Sequence, residues 1–228
     1  MTFYYIRHGE PIYNPDSLTE LGHRQADALS KYFLQLGLDK IYSSTSNRAI
    51  QTAEPTCKAL GLKAELLDFA NEDYAWKDFS IANGSGKKWL FQSDKAMMLF
   101  SDKSIKEMGF EWYKHPKLVD YHYEKGMERV YNECDDLFYR LGYRHERYSG
   151  KYKVVFSNDR KVALFAHEGF GKAFLSCLLD IPYPYVCNHF EMYHTGVTII
   201  KFNDNGGYSI PQLKQFSAIP HLYAERFV

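Results

Sequence analysis

The stretch Phe3-Tyr4-Tyr5-Ile6-Arg7-His8-Gly9-Glu10 decides the fold class of this chain, because an apolar run ends directly in charged and polar residues. The run predicts a half-buried strand that delivers its last side chains to the carboxyl edge of a sheet. In open α/β sheets, ligands bind at that edge. Arg7 offers a fixed fork of donors to an oxyanion, and the imidazole of His8 can act as a nucleophile. The stretch therefore predicts a phosphate site at the end of the first strand.

Strand and helix signals alternate along the first 69 residues. Thr19 is an N-cap signal for a helix whose apolar residues follow helical spacing up to Gly37. A short strand is predicted at 40–42, and the hydroxyl-rich residues 43–46 then precede a second helix. Residues 63–69 again favour an extended conformation. This alternation predicts an α/β sheet with helices on its faces.

The pattern changes between about residues 74 and 150, where strand signals disappear and charged residues mix with aromatic ones. We interpret this segment as a helical insertion whose last helix covers about 126–141. The alternation resumes with an apolar strand at 162–166, an amphipathic helix, and a β-branched strand at 197–200. The sequence thus predicts a single domain, 1–228, that carries a helical, cap-like insertion.

The composition excludes two classes of binding partner, nucleic acids and membranes. The chain has 228 residues, of which 45% are hydrophobic, and its 28 basic residues equal its 28 acidic residues in number. A balanced charge provides no global field that would draw the chain to nucleic acid or to an anionic membrane. No apolar run approaches the roughly 20 residues of a membrane span. We therefore expect a cytoplasmic protein that binds neither nucleic acid nor a membrane.

A second strand end repeats the order of the first. The strand at 162–166 leads into His167-Glu168-Gly169, so a histidine and a glycine again separate a strand from a helix. The free N–H groups and the dipole of that helix favour an anion. Arg48 is expected in the first turn of the helix that follows 43–46. Together these residues predict that two histidines and two arginines meet at one edge of the sheet.

Four blocks occur in one order along the chain, at residues 7–10, 18–22, 43–49 and 167–169. Together they resemble the histidine phosphatase superfamily, the phosphoglycerate-mutase-like family. The resemblance covers about the first 75 residues and the stretch from about 160 to 200. It implies a three-layer α/β/α sandwich with a mostly parallel central sheet, in agreement with the alternation of strands and helices. Residues 74–150 do not contribute to the resemblance.

The resemblance also implies a mechanism. His8 attacks phosphorus and forms a phosphohistidine, while a carboxylic acid protonates the departing oxygen. Arg7, Arg48 and His167 hold the phosphate oxygens and neutralise the charge of the transition state. No metal and no cofactor is required, because these side chains supply the positive charge.

Two further phosphate contacts and the proton donor follow from the same resemblance. Asn14 matches an asparagine that donates to the phosphate, and the backbone of Gly169 assists. Glu72 best fits the family position of the donor just after the third strand. Asp73 is a rival because it is adjacent, and Glu168 is another because a second branch of the superfamily places its donor directly after the second histidine. A donor that works near neutral pH needs a raised pKa.

The surroundings favour a phosphomonoesterase. Only residues 15–17 separate Asn14 from Leu18, whereas the corresponding loop is longer in cofactor-dependent mutases. The preferred interpretation is a metal-independent histidine acid-type phosphatase that acts on a small phosphorylated metabolite. The alternatives are mutase-type phosphoryl transfer and a catalytically silent member that binds phosphorylated ligands or proteins. The oligomeric state is not predicted, and the insertion is expected to wall the pocket with Trp76, Trp89 and Trp112.

Overall fold

The structure is a computed structural model that describes residues 1–225. Its strands are β1 Thr2–Arg7, β2 Pro11–Tyr13, β3 Asp16–Leu18, β4 Lys40–Ser44, β5 Ala64–Leu67, β6 Ser80–Asn83, β7 Gly86–Trp89, β8 Tyr143–Glu146, β9 Lys151–Val154, β10 Lys161–Ala166, β11 Val197–Lys201, β12 Tyr208–Ser209 and β13 Gln212–Ala218. Its α-helices are α1 Glu20–Leu36, α2 Asn47–Leu60, α3 Glu72–Asp78, α4 Asp94–Ser101, α5 Lys103–Glu107, α6 Tyr123–Arg140, α7 Glu168–Leu179, α8 Tyr183–His189 and α9 Pro220–Ala224. Short 3₁₀ helices cover Asp68–Ala70, Leu90–Gln92, Gly109–Lys114 and Val119–Tyr121.

One six-stranded sheet organises the molecule, with the strand order β13-β11-β1-β10-β4-β5. The four strands from β1 to β5 in that order are parallel, while β11 and β13 are antiparallel to their neighbours. The predicted mostly parallel sheet is therefore confirmed. An alternation of strands with helices predicts parallel strands. It does not predict the antiparallel strands β11 and β13, because no helix separates them.

Alternate residues of β1 point to opposite faces of the sheet and enter two different hydrophobic cores. Phe3 and Tyr5 belong to the core beneath α6 and α7, while Tyr4 and Ile6 belong to the core beneath α1 and α2. All four residues are at most 5% exposed. A strand that is buried on both faces requires helices on both sides. The predicted three-layer α/β/α sandwich is confirmed.

The helices begin and end close to the predicted residues. Thr19 caps α1 by accepting a hydrogen bond from the backbone N–H of Gly22, and Gly37 ends the helix with a φ of 71°. The helix predicted at 126–141 begins three residues earlier, at Tyr123, and buries Val130, as its spacing requires. No helix within residues 1–225 is long and apolar enough to cross a membrane.

The segment 74–150 contains more strand than predicted. It carries the hairpin β6–β7 and the strand β8, in addition to its helices. β8 pairs with β9, and β12 completes a small three-stranded sheet. The sequence predicted no strands in this helical insertion, because β6 is only four residues long and β7 and β8 are short and carry charged residues. Such strands lack the continuous apolar pattern that identifies buried ones.

His145 ties this small sheet to two helices. The imidazole is buried between two carboxylates, with Nδ1 2.7 Å from Asp135 Oδ1 on α6 and Nε2 3.1 Å from Asp180 Oδ2 at the end of α7. The ring of Tyr152 stacks on it at 4.3 Å between centroids. Burial disfavours the charged imidazolium, but the hydrogen bonds that the ring donates to Asp135 and Asp180 outweigh it and raise the pKa of His145 above 6.5. His145 therefore ties the small sheet to α6 and α7.

We predict that His145→Phe destabilises the fold most at acidic pH. The imidazolium stabilises the folded state below pH 6.5, and this contribution is lost as the pH rises through the raised pKa. Removing one partner of a buried ionic contact costs about 3–5 kcal/mol of unfolding free energy. Urea unfolding at pH 6 and pH 9 measures the loss, with the exposed His23→Phe as the control. A loss that is independent of pH contradicts the prediction.

Candidate active site

Neighbouring strands end at one edge of the sheet and bring the predicted site residues together. β1 and β10 run parallel with Arg7 opposite Ala166, and β4 pairs with the far side of β10. His8 and His167 directly follow β1 and β10, and their ring centroids lie 5.1 Å apart. The two histidines that the sequence placed at strand ends therefore share one site.

His8 is held as a neutral imidazole with a defined proton position. Its buried side chain has Nδ1 2.7 Å from the carbonyl oxygen of Gly9. A carbonyl oxygen only accepts, so Nδ1 carries the proton and Nε2 is the unprotonated nitrogen. Burial lowers the pKa of His8 well below 6.5, and the positive charges of Arg48 and Arg7 lower it further. The ring thus presents a nucleophilic nitrogen.

His167 is fully buried and fixed from both ends. Its Nε2 lies 2.9 Å from Ser44 Oγ, and its backbone carbonyl accepts a hydrogen bond from the hydroxyl of Tyr5 at 2.5 Å. Burial lowers the pKa of His167 well below 6.5, and His8 and the arginines add to the effect. A neutral His167 at this place can donate one hydrogen bond to an oxyanion.

Arg7 presents one edge of its guanidinium to the site. Nη1 lies 2.8 Å from Glu168 Oε2 and also donates to the backbone carbonyl of Met192. Nε is buried and has no hydrogen-bond partner among the described residues. Buried donors are almost always paired in folded proteins. The unpaired Nε therefore marks a place for an acceptor.

Arg48, in α2, has the same kind of surroundings as Arg7. Its Nη1 lies 2.6 Å from Asp16 Oδ1, and its Nε is also buried without a partner within residues 1–225. The other oxygen of Asp16 accepts a hydrogen bond from the backbone N–H of Asn47 at 2.7 Å. Tyr13 packs on the guanidinium at 5.4 Å. Each arginine is thus oriented by a carboxylate at Nη1 and leaves its Nε edge for an anion.

Glu72 lies at the start of α3, against the loop of the second histidine. Oε1 accepts a hydrogen bond from the backbone N–H of Phe170 at 3.0 Å. Oε2 lies 3.1 Å from Nδ1 of His167, although the N–H of that ring is not aligned as a hydrogen-bond donor. Burial raises the pKa of Glu72 to about 7, against the opposing hydrogen bond from Phe170. The carboxyl group therefore exchanges a proton near neutral pH.

The two rival acids occupy different environments. Asp73 is exposed at the rim, and its backbone N–H donates to the side chain of Asn71, which caps α3. Glu168 is paired with Arg7 at one oxygen, and its other oxygen lies 3.5 Å from the buried Nζ of Lys172. Glu168 is thus held by two basic side chains, whereas Asp73 faces solvent.

Asn14 lies outside this group of residues. It sits on the exposed turn between β2 and β3. It is not among the residues that line the adjacent cavity. Asp16, two positions further along the same turn, reaches Arg48 instead.

The sequence did not single out several other residues of the site. The sequence placed Tyr5 in the first strand and Ser44 among the hydroxyl-rich residues before the second helix, yet both bind His167. His194 lies with its ring 5.8 Å from that of His8, and burial lowers its pKa to about 4. The sequence signal for Ser44 was that it is a polar residue at the end of a buried strand. No sequence pattern pointed to His194.

A cavity of about 700 Å³ opens beside Glu72 and Arg48. Its walls are formed by Tyr13, Asp16, Thr45, Ser46, Asn47, Arg48, Asn71, Glu72, Asp73, Trp76 and Trp89. Trp76 and Trp89 meet edge to face at 4.8 Å between ring centroids. Trp112 was expected in this wall, but it is 1% exposed and packs against Phe100 and Tyr183 in the core. That part of the prediction was wrong.

One set of side chains has the composition of a metal site. Ligand atoms of His8, Glu72 and His167 all lie within 4.8 Å of one another. Two histidines and a glutamate also form a catalytic zinc set. The neighbouring Arg7 and Arg48 have buried Nε donors that lack acceptors, and a cation cannot accept a hydrogen bond. The donors around the set therefore favour an anion.

A family model of the histidine phosphatase superfamily (branch 1) matches residues 3–78. The matched segment runs from β1 to α3 and contains Arg7, His8, Arg48 and Glu72. This match covers one third of the chain. No curated protein matches its sequence.

Solved structures of similar fold cover almost the whole chain. A phosphoserine phosphatase from Entamoeba histolytica in complex with 3-phosphoglyceric acid is 20% identical, with a TM-score of 0.62 over 97% of this chain and 98% of that chain. A mycobacterial glucosyl-3-phosphoglycerate phosphatase is 17% identical, with a TM-score of 0.59 over 95% and 99%. At these identities the likeness shows a common fold.

Gly169 follows His167 and Glu168, and its lack of a side chain lets Glu72 and Trp89 pack closely against it. A Cβ at this position would lie 2.6 Å from Glu72 Oε1 and 2.6 Å from the Trp89 ring. We predict that Gly169→Ala lowers the unfolding free energy by about 1–3 kcal/mol because of overpacking. Chemical denaturation measures the loss.

The matched control for this substitution is Gly86→Ala. A Cβ at Gly86 meets no atom within 4 Å. Equal stability changes in the two variants would contradict the close approach at Gly169.

Proposed function

We propose that the chain is a metal-independent phosphomonoesterase that acts through a phosphohistidine on a small phosphorylated metabolite. The observation that carries the proposal is that a neutral His8 lies in the field of Arg7 and Arg48, whose buried Nε donors have no partner within residues 1–225. A nucleophile beside such oxyanion donors suits phosphoryl transfer.

In the first step, Nε2 of His8 attacks phosphorus, and the bond from phosphorus to the ester oxygen breaks. The bonding electrons go to that oxygen, which takes a proton from Glu72. Arg7, Arg48 and His167 hold the three remaining phosphate oxygens. Because the pKa of Glu72 is about 7, its protonated form is available at neutral pH.

In the second step, water attacks phosphorus and the bond to Nε2 of His8 breaks. Glu72, now ionised, takes the proton from water, and inorganic phosphate leaves with the nitrogen lone pair restored to His8. The backbone N–H of Gly169, in the first turn of α7, adds a donor. Asn14 joins the phosphate contacts only when its exposed turn folds inward.

Known phosphatases of the same fold support the class of substrate. One solved structure of the Entamoeba phosphatase is in complex with phosphoserine and another is in complex with 3-phosphoglyceric acid. The cavity beside Glu72 has the volume of a small-metabolite site. Within the single domain, the insertion at about 74–150 caps this cavity with Trp76 and Trp89.

We predict that the protein hydrolyses p-nitrophenyl phosphate and that His8→Ala reduces kcat by more than about a thousand-fold, because the nucleophile is lost. Turnover is measured by release of nitrophenolate, with and without a chelator. The matched control is His23→Ala, an exposed residue of α1. An inactive wild type would favour a binding protein, and loss of activity on chelation would contradict metal independence.

We predict that Glu72→Gln slows hydrolysis of an alkyl phosphate by about 10²–10⁴-fold, the usual contribution of a general acid. Nitrophenyl phosphate is affected much less, because nitrophenolate leaves without a proton. In the wild type, kcat for the alkyl substrate falls as the pH rises above about 7, since Glu72 must be protonated. The acid-side decline lies below pH 6.5, where His8 takes up a proton.

The comparison variant for this prediction is Glu168→Gln, which keeps the size of the side chain. It removes the charge that holds Arg7 and leaves Glu72 in place. Glu168 is the donor if Glu168→Gln, rather than Glu72→Gln, removes the decline above pH 7.

A further inference from the structure

The wall of the cavity beside Glu72, where the leaving group of a phosphate ester must lie, has an acidic balance: Asp16 offsets Arg48, Glu72 is the protonated donor, and Asp73 remains. Among the described residues that line the cavity, Asp16, Glu72 and Asp73 are acidic, and Arg48 is the single cation. Arg48 already has Asp16 2.6 Å from its Nη1 and turns its Nε edge to the phosphate. No positive side chain of this wall is therefore left for a second anionic group.

Aromatic rings form the other part of the wall. The six-membered ring of Trp89 lies close to Gly169 and therefore close to the carboxyl of Glu72. Trp76 meets Trp89 edge to face, and both indoles are partly exposed to the cavity. Indole faces attract organic cations. A nearby carboxylate adds a Coulomb attraction for the same cation. Asp73 supplies such a carboxylate at the exposed rim.

We propose that the preferred substrates are phosphate monoesters whose leaving group carries an ammonium and no carboxylate. The phosphate binds at Arg7, Arg48 and the histidines, and the ammonium lies between the indoles and Asp73. This proposal rests on the phosphatase function proposed above. It separates this chain from the Entamoeba protein of similar fold, which is seen in complex with phosphoserine and with 3-phosphoglyceric acid.

The opposite charge preference, for a carboxylate on the leaving group, would depend on two lysines of the β6–β7 hairpin. Lys87 and Lys88 precede Trp89 on the hairpin, are exposed, and are not among the cavity-lining residues. If their charges governed the entrance, a carboxylate on the leaving group would be favoured instead. The sign of the charge preference therefore tests which side chains face the substrate.

The experiment compares three alkyl phosphates that differ in the charge of the leaving group: phosphocholine, glycerol 3-phosphate and 3-phosphoglycerate. Release of inorganic phosphate gives kcat/KM for each. We expect phosphocholine to exceed 3-phosphoglycerate by at least about ten-fold, with glycerol 3-phosphate between them, because Asp73 attracts an ammonium and repels a carboxylate, and the indoles bind the ammonium. The difference should shrink at high salt.

Two variants assign the preference to side chains. Asp73→Asn should reduce the ratio of kcat/KM for phosphocholine over 3-phosphoglycerate by about three-fold, and Trp76→Leu should lower kcat/KM for phosphocholine more than that for glycerol 3-phosphate. The control is Asp27→Asn on the exposed face of α1, which changes the net charge equally and should leave the ratio as in the wild type.

Failure of this proposal is distinct from failure of the proposed function. A wild type that hydrolyses p-nitrophenyl phosphate but prefers 3-phosphoglycerate, or treats the three probes alike, overturns the charge preference alone. A wild type that hydrolyses neither p-nitrophenyl phosphate nor the three probes overturns both.

Discussion

The parallel pairing of β1 with β10 is the constraint on which the site depends. It sets Arg7 opposite Ala166, so the residues that follow each strand, His8 and His167, must emerge side by side. Because β1 is buried on both faces, a shift of one residue would exchange the two cores and move every side chain of the strand to the wrong side. The hydrophobic pattern of β1 therefore positions the polar residues beyond its end.

Burial shifts the pKa of the two histidines and the pKa of Glu72 in opposite directions. It lowers the pKa of His8 and His167 because imidazolium is charged, and it raises the pKa of Glu72 because carboxylate is charged. Each group is driven toward its neutral form by the same desolvation. A neutral imidazole and a neutral carboxylic acid can then coexist near pH 7, and they are the two forms that nucleophilic attack and protonation of a leaving group require.

The sequence predicted the sheet, and it placed Arg7, His8, Arg48 and His167 at its edge, because strong local patterns encode strands and the residues that follow them. An apolar run before Arg7 and another before His167 predict strands, and polar residues at strand ends are readily recognised. Weak or distant patterns gave the errors. The β6–β7 hairpin is short and charged, and Trp112 is in the core because of residues far along the chain. The contact between Asp16 and Arg48 depends on how a turn packs on a helix, which periodicity does not encode.

The paired arginines explain how a site for an anion can remain stable without one. Each guanidinium has five donors in a fixed plane, and a carboxylate at Nη1 orients it without occupying the edge that contains Nε. Glu168 and Asp16 thus offset the positive charge of Arg7 and Arg48. In the proposed reaction, phosphate binds the Nε edge of each arginine while these carboxylates stay in place, so the guanidinium groups are already oriented for it.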